Sequence, residues 1–292
     1  MKITIAGSLG NIGGPLTKKL VNAGHQVTVI SSNENRSAEI ETLGAKAAIG
    51  SVSDATFLEN AFKGADAVFT MTPPNMGGRD IIANTTAAGK AFAEAIRKSG
   101  VGRVVMLSSI GADLSKGTGP IAGLHNIEQL FTELDGVNIT YLRAGYFYTN
   151  FYNDVPMIKG MNIMGGNFAD TARIPLAHPV DIAEAAAEEL QKASTGKNIR
   201  YIVSDVQAAG DFLKIIAAAL GKPELNWVEF TDEQSLQGML QAGLPEEVAG
   251  LYTEMGAGFR NGTIPEDFLK SNAPVTGSIK AEQFAQEFAA KF

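Results

Sequence analysis

The sequence predicts an α/β fold: a doubly wound parallel sheet followed by a smaller, mainly helical C-terminal lobe. Strand-like runs alternate with longer helical segments through the first half of the chain, a pattern of βαβ units joined by right-handed crossovers. The runs are short and almost wholly apolar, as strands are when both faces of a sheet are covered. A glycine-rich turn at residues 7–14 joins the first strand to the first helix.

Lys2 to Ala6 is a β-branched run, followed by the glycines and a helical pattern from Pro15 to Ala23 that Gly24 closes. Gln26 to Ile30 (QVTVI) reads as the second strand, and a helix over Ser37 to Leu43 stops at Gly44. Lys46 to Ile49 is the third strand, after which Asp54 N-caps the helix ATFLENAFKG. Ala67 to Met71 is the fourth strand, and apolar residues at helical spacing mark a long helix from Arg79 to Lys98. Arg103 to Leu107 is the fifth strand, Leu124 to Leu134 a helix, and Val137 to Leu142 the sixth strand.

Beyond residue 150 the pattern loosens. Phe151 to Thr171 is rich in Met, Asn and Gly without a period, which predicts an excursion over the sheet. Asp181 is read as the N-cap of a strong helix (DIAEAAAEELQKA), and Arg200 to Val203 as a returning strand. Gly210 to Phe268 reads as mostly amphipathic helix. The expected division is a first domain over 1–150, with 176–203 returning to it. A mainly helical lobe over 204–292 follows, with 151–175 contributing.

Composition excludes several classes of function. Of 292 residues 45% are hydrophobic and 19% charged, too apolar for a disordered chain. A net charge of -7 at pH 7 argues against a nucleic-acid partner, which asks for a basic footprint. There is no cysteine, so disulfides, thiolate metal sites and cysteine nucleophiles are excluded. The opening MKITIAG is a strand running into a glycine turn and not a signal peptide, and no apolar stretch is long enough to span a bilayer. The cytoplasm is the expected compartment, with no membrane partner.

The turn itself is Gly7-Ser8-Leu9-Gly10-Asn11-Ile12-Gly13. Glycines let a backbone turn sharply and approach a pyrophosphate, whose charge then faces the amides at the positive end of a helix. The spacing Gly-x-x-Gly-x-x-Gly departs from the usual Rossmann fingerprint, yet its place between strand and helix is the Rossmann-type one. The competing reading is a plain strand-to-helix turn.

With the turn GSLGNIGG, the segment Leu142-Arg143-Ala144-Gly145-Tyr146-Phe147-Tyr148-Thr149-Asn150 resembles the "LRPGxFxxN" motif of the NmrA-like branch of the short-chain dehydrogenase/reductase superfamily, with Ala144 in place of proline. His178 to Ala183 is similar to that branch's "V-x-DIA" helix start, Leu220 to Pro223 to its step into the C-terminal lobe, and Pro274 to Thr276 to its closing segment. Length and the segment Gly123 to Glu128 look most like the bacterial NAD(P)H:quinone oxidoreductase type. The resemblance implies a nicotinamide cofactor. It leaves open whether the chain turns over, because the branch holds both reductases and non-catalytic regulators.

An acidic residue closing the second strand would favour NAD(H); none stands at Ser31 or Ser32. Ser32 and Asn33 can donate hydrogen bonds to a 2′-phosphate and Arg36 can reach it, whereas Glu34 opposes it. NADP(H) is therefore favoured over NAD(H), the alternative being a solvated loop. Strand ends supply the remaining candidates: Gly50 and Ser51 beside the adenine, then Thr70, Thr72, Pro73 and Pro74, with Ser108, His125 and Phe147 toward the nicotinamide.

The tyrosine–lysine relay of the superfamily is missing, since the helix that should carry it reads Ile121 to Glu128 with His125 at the lysine's place. His125 either bonds the nicotinamide ribose or acts as acid, with Glu128 orienting it, or is simply packed at a helix start. Tyr146 either stacks a flat acceptor or belongs to the core under the lobe. Arg143 is expected to pair locally, and the three histidines show no metal-ligand spacing. Quinones and azo compounds ask less acid catalysis of the protein than ketones do, so the missing relay suits them best. The reading is an NAD(P)H-dependent reductase of a small flat acceptor. The alternative is an NADP(H)-sensing regulator of the NmrA type with a protein partner.

Overall fold

The structure is a computed structural model describing residues 1–73 and 78–292. Its first half runs β1 (Lys2–Ala6), α1 (Gly13–Asn22), β2 (Gln26–Ser31), α2 (Ser37–Thr42), β3 (Lys46–Ile49), α3 (Ala55–Phe62), β4 (Ala67–Thr70), α4 (Ile81–Ser99), β5 (Arg103–Ser109), α5 (Ile121–Thr132) and β6 (Asn138–Ala144). Then come β7 (Tyr146–Phe147), a 3-10 stretch over Tyr148–Asp154, α6 (Val155–Met161), β8 (Ile163–Gly166), β9 (Arg173–Ala177) and α7 (Pro179–Gln191). The chain finishes with β10 (Lys197–Ile202), β11 (Asp205–Ala208), α8 (Ala209–Leu220), β12 (Asn226–Glu229), α9 (Asp232–Gln241), α10 (Glu246–Arg260), α11 (Glu266–Ser271) and α12 (Ala281–Lys291).

The main sheet has seven strands in the order β10-β6-β5-β4-β1-β2-β3. Its pairs β3–β2, β2–β1, β1–β4 and β4–β5 are all parallel. Chain order reverses at β1, which lies between β2 and β4, and at such a switch point ligands meet the carboxyl ends of the strands. The α/β class and doubly wound sheet read from the sequence are thus borne out. Local signals act where expected: the Asp54 carboxylate accepts from the Thr56 and Phe57 amides at the start of α3. α4 ends at Gly100 in the left-handed region (φ 72°), where glycine carries no Cβ penalty.

The chain forms two compact units, the first comprising 1–108, 123–143 and 182–200, the second 109–122, 144–181 and 201–292. In the first, Phe62, Val68, Phe92, Val104, Ile127 and Phe131 join one buried cluster, with Phe62 stacked parallel on Phe92. In the second, aromatic rings pack on one another: Tyr148 on Phe284 at 4.9 Å, Phe151 on Phe212 at 4.4 Å, and Tyr152 on Phe288 at 5.3 Å between centroids.

Three expectations need correction. The second unit carries small sheets, β11-β9-β7 and β12-β8, whose strands were not read within the excursion and the mainly helical lobe. Their strands are short and include Pro175 and the Gly165–Gly166 pair, residues that weaken any strand pattern. Asp181 is not the cap of its helix, which begins at Pro179. Its carboxylate instead accepts from Ser204 Oγ, the Ser278 amide and hydroxyl, and the Ile279 amide, pinning the closing segment. Finally, α5 starts at Ile121, earlier than the periodicity suggested.

Candidate functional site

In the first unit the glycines of the turn fall into two kinds. A Cβ at Gly13 would lie 2.0 Å from the Ser8 carbonyl oxygen, and Gly7 has φ 155°, a conformation that side chains rarely adopt, so the chain's own backbone demands glycine at both. At Gly10 the nearest atom would be the Gly7 carbonyl oxygen at 3.9 Å, an ordinary contact, and the residue is exposed. Among the described residues nothing forbids a side chain there. A glycine unneeded for packing, on an open turn before a helix, is what close approach of a pyrophosphate requires. α1 itself has Ile12 at its N-cap, with no side-chain cap and no acid in the first turn, so no carboxylate competes with an anion.

The turn is fastened to the end of β2. The Ser8 amide donates to the Ile30 carbonyl at 3.0 Å, and Ser8 Oγ donates to Ser31 Oγ at 3.0 Å. Ser8 is left-handed (φ 51°), a conformation that side chains seldom adopt without such support. Ser31 is buried and also accepts from the Asn33 amide at 3.2 Å. Ser32, Asn33 and Arg36 are exposed, with the Arg36 guanidinium held by Glu39. Leu9 is half-buried, Asn11 exposed and Ile12 buried. Of the candidates after β4, Thr70 is buried with its hydroxyl unpartnered among the described residues, Thr72 is half-buried and Pro73 exposed. Pro74 lies outside the described residues.

Ser108, Glu128 and Arg143 come together from β5, α5 and β6. All three are buried, and Glu128 takes Ser108 Oγ and Arg143 Nε (3.1 Å) on one oxygen and Arg143 Nη2 (2.7 Å) on the other. Arg143 pairs locally, as anticipated. The role foreseen for Glu128, orienting His125, gives way to this pairing: a buried carboxylate is drawn to the nearest guanidinium, with the fork of Arg fitting both oxygens. Ser108 accordingly gives its hydroxyl hydrogen to Glu128. His125 is half-buried on α5.

The second unit holds a different cluster. Tyr146 and Phe147 form β7, in register with Leu176 and Ala177 of β9. This strand follows Gly145, where a Cβ would meet the Pro175 carbonyl oxygen at 2.6 Å, so the glycine of the LRAGYF segment serves close packing. Both side chains are half-buried. The Tyr146 ring is met edge-on by Phe151 at 5.4 Å and by Phe259 at 5.8 Å. Asn150 offers its side chain to the phenol, yet burial, helped by the nearby Asp154 carboxylate and Tyr252, holds Tyr146 well above the usual phenol range. Asp154 is pushed up to about 7 by burial. The sequence reading missed it because Asp before Val-Pro looks like a helix cap; here its backbone is already helical (φ -83°, ψ -10°) and its side chain caps nothing.

Residues 7–148 match the family model described as NAD(P)H-binding. These residues are similar to NAD(P)H-binding domains. The chain is 26% identical over 271 residues to the NAD(P)H azoreductase of Xenophilus azovorans, covering 91% of this chain and 88% of that protein. Its fold is similar to that of an NADPH-dependent quinone oxidoreductase from Escherichia coli complexed with NADPH (TM-score 0.81, 18% identity, 98% of this chain and 99% of that one). It is likewise similar to a Citrobacter triphenylmethane reductase complexed with NADP(H) (TM-score 0.80, 18% identity, 98% and 99%). The nicotinamide-dinucleotide binding expected from the sequence is thereby borne out.

Among the described residues of the NAD(P)H-binding domain and of the remaining chain, no group of three or more His, Asp or Glu side chains is placed to hold a metal ion. No helix there is long and apolar enough to cross a membrane.

Proposed function

We propose that the chain is an NAD(P)H-dependent oxidoreductase that reduces a small, flat, electron-poor acceptor such as a quinone or an azo compound, with NADPH preferred over NADH. The observation that carries this is the pairing of an NAD(P)H-binding domain with similarity, over nine-tenths of the chain, to an NAD(P)H azoreductase. That similarity favours the reductase over the regulator.

The turn from Gly7 to Gly13 holds the pyrophosphate, with Gly10 as the point of closest approach. Ser32, Asn33 and Arg36 receive the 2′-phosphate. The Arg36–Glu39 pair is exposed and worth little, so the guanidinium is free to turn toward a phosphate. Thr70, Thr72, Pro73 and Pro74 border the riboses, and His125, Ser108 and Phe147 the nicotinamide end. Tyr146 stacks the acceptor. When bound, the cofactor supplies the hydride; the protein supplies orientation and exclusion of water.

Calorimetric titration of the purified chain tests the binding arm, with NADPH expected about tenfold or more tighter than NADH, a difference of roughly 1.4 kcal/mol. Oxidation of NADPH with a panel of quinones and azo dyes tests turnover. Gly10→Ala should leave the melting temperature near that of the unaltered chain, since its Cβ would make only an ordinary contact with the Gly7 carbonyl oxygen, and weaken NADPH binding at least about tenfold. Full retention of affinity in that variant would remove the pyrophosphate from the turn.

A further inference from the structure

Ser31 is a polar residue in an apolar place. It closes β2 directly after Val29 and Ile30, is buried like both of them, and a hydroxyl withdrawn from water is costly unless it is bonded. A serine hydroxyl has one hydrogen to give and two lone pairs to offer, and Ser31 uses all three. It accepts from Ser8 Oγ at 3.0 Å and from the Asn33 amide at 3.2 Å, and it donates to the Asn33 carbonyl at 3.3 Å. The main chain of Ser31 is held from β3, where the Gly50 amide donates to the Ser31 carbonyl at 2.9 Å.

The two partners of that hydroxyl belong to different stretches of the first unit. Ser8 lies in the glycine turn with a left-handed backbone (φ 51°), which is costly for a residue with a Cβ. Two bonds hold it there, its amide on the Ile30 carbonyl and its hydroxyl on Ser31. Asn33 opens the loop after β2. Its side chain accepts from the Asn35 amide and its carbonyl from the Arg36 amide at 3.1 Å, so the 3-10 turn over Glu34–Arg36 starts from it. One chain of hydrogen bonds thus runs from Ser8 through Ser31 and Asn33 to Arg36. It joins the turn assigned to the pyrophosphate with the residues assigned to the 2′-phosphate. Ser8 is half-buried and Asn33 and Arg36 are exposed, whereas Ser31 between them is only 3% exposed. Ser31 therefore acts through its neighbours and not by touching a ligand.

We propose that Ser31 is a positioning residue for the dinucleotide, whose hydroxyl couples the pyrophosphate turn to the 2′-phosphate loop and so sets the preference for NADPH over NADH. This rests on the NADPH preference proposed above. In NADPH one ribose separates the 2′-phosphate from the diphosphate, so turn and loop must stand at a fixed spacing to meet both. With the hydroxyl present that spacing is set before the ligand arrives. Without it the loop has to be ordered by the 2′-phosphate itself, at a cost in affinity. NADH lacks that phosphate and makes no such demand. A serine that served only to stabilise the fold would weaken both nucleotides alike.

The test is calorimetric titration of NADPH and of NADH into the unaltered chain, Ser31→Ala, Ser8→Gly and the double variant. Ser31→Ala should bind NADPH about tenfold more weakly and NADH about twofold, so that the preference contracts about fivefold. Ser8→Gly removes the same bond from the other end while relieving the left-handed backbone. Its melting temperature should stay near that of the unaltered chain, and its preference for NADPH should still contract, by about threefold. Added to Ser31→Ala it should change the preference little, because the bond the two residues share is already gone. Should Ser31→Ala fail to fold, Ser8→Gly decides by the same ratio. A preference unchanged in the variants, or fully additive losses in the double variant, would overturn the coupling while leaving the NADPH preference in place. Equal affinity of the unaltered chain for NADPH and NADH would remove the preference, and the coupling with it.

Discussion

Glu128 in the first unit and Asp154 in the second are both carboxyl groups withdrawn from water, and the chain treats them in opposite ways. Glu128 is surrounded by donors, a forked guanidinium and a hydroxyl, so that its charge is matched at both oxygens. Asp154 collects no hydrogen-bond donor among the described residues, so burial acts on it alone. The contrast shows how one side-chain chemistry becomes either a fixed strut or a titrating group. What decides is the supply of hydrogen-bond donors, more than the depth of burial.

The largest effect expected from breaking this contrast lies at Glu128. Arg143→Met removes the guanidinium and leaves an unmatched buried charge, which should destabilise the chain by about 3–5 kcal/mol in urea unfolding. Pairing it with Glu128→Leu removes the stranded charge, and the double variant should recover most of that loss. If the double variant is no better than Arg143→Met alone, the cost comes from lost packing and not from the stranded carboxylate.

At Asp154 the sign reverses. Burial raises its pKa from the ordinary carboxyl range to about 7, so the folded state binds the proton more tightly than the unfolded chain. Stability from this group is therefore full below about pH 4, is lost progressively as pH rises to about 7, and is level above that. Asp154→Asn, which has no charge to bury, should melt higher than the unaltered chain at pH 8, by roughly 2–4 kcal/mol at about 1.4 kcal/mol per unit. The two curves should approach one another near pH 4. A constant offset from pH 4 to 8 would mean that the carboxyl titrates in the folded chain as it does in the unfolded one.

The same physics explains what could be read in the sequence. β1 to β6 and the glycine turn announce themselves because short, mostly apolar runs alternate with helices whose ends are marked, as at Asp54, Gly44 and Gly100. Arg143 was expected to find a local partner, which follows from burial at a strand end; that Glu128 would be the partner needed the register between α5 and β6. β7, β9 and β11 were illegible because they are short, have a proline in β9, and depend on pairing with residues distant in sequence, Tyr146 with Leu176 and Asp205 with Leu176. Asp154 was hidden by its neighbours: Val-Pro after an acid is an ordinary helix start, and only the helical backbone at Asp154 itself turns the carboxylate away from that use.

Between a matched buried acid and an unmatched one stands a third arrangement, a matched acid at the surface, and it sets the small end of the scale. Asp232, at the start of α9, accepts from Arg260 Nη1 at 2.6 Å and from Asn167 Nδ2 at 2.8 Å, and these hold its carboxyl down at about 2. Half of its side chain is open to water, so screening takes most of the energy that such a shift would otherwise represent. Because the folded pKa is depressed, its contribution is present above about pH 4 and lost as pH falls toward 2. Asp232→Asn should cost about 1 kcal/mol or less in unfolding at pH 7 and nothing measurable near pH 2. A loss as large as that expected for Arg143→Met would show that exposure does not weaken a matched carboxylate here, and the ordering of all three acids would have to be rebuilt on the Asn167 bond, whose amide also donates to the Thr253 carbonyl at 2.8 Å.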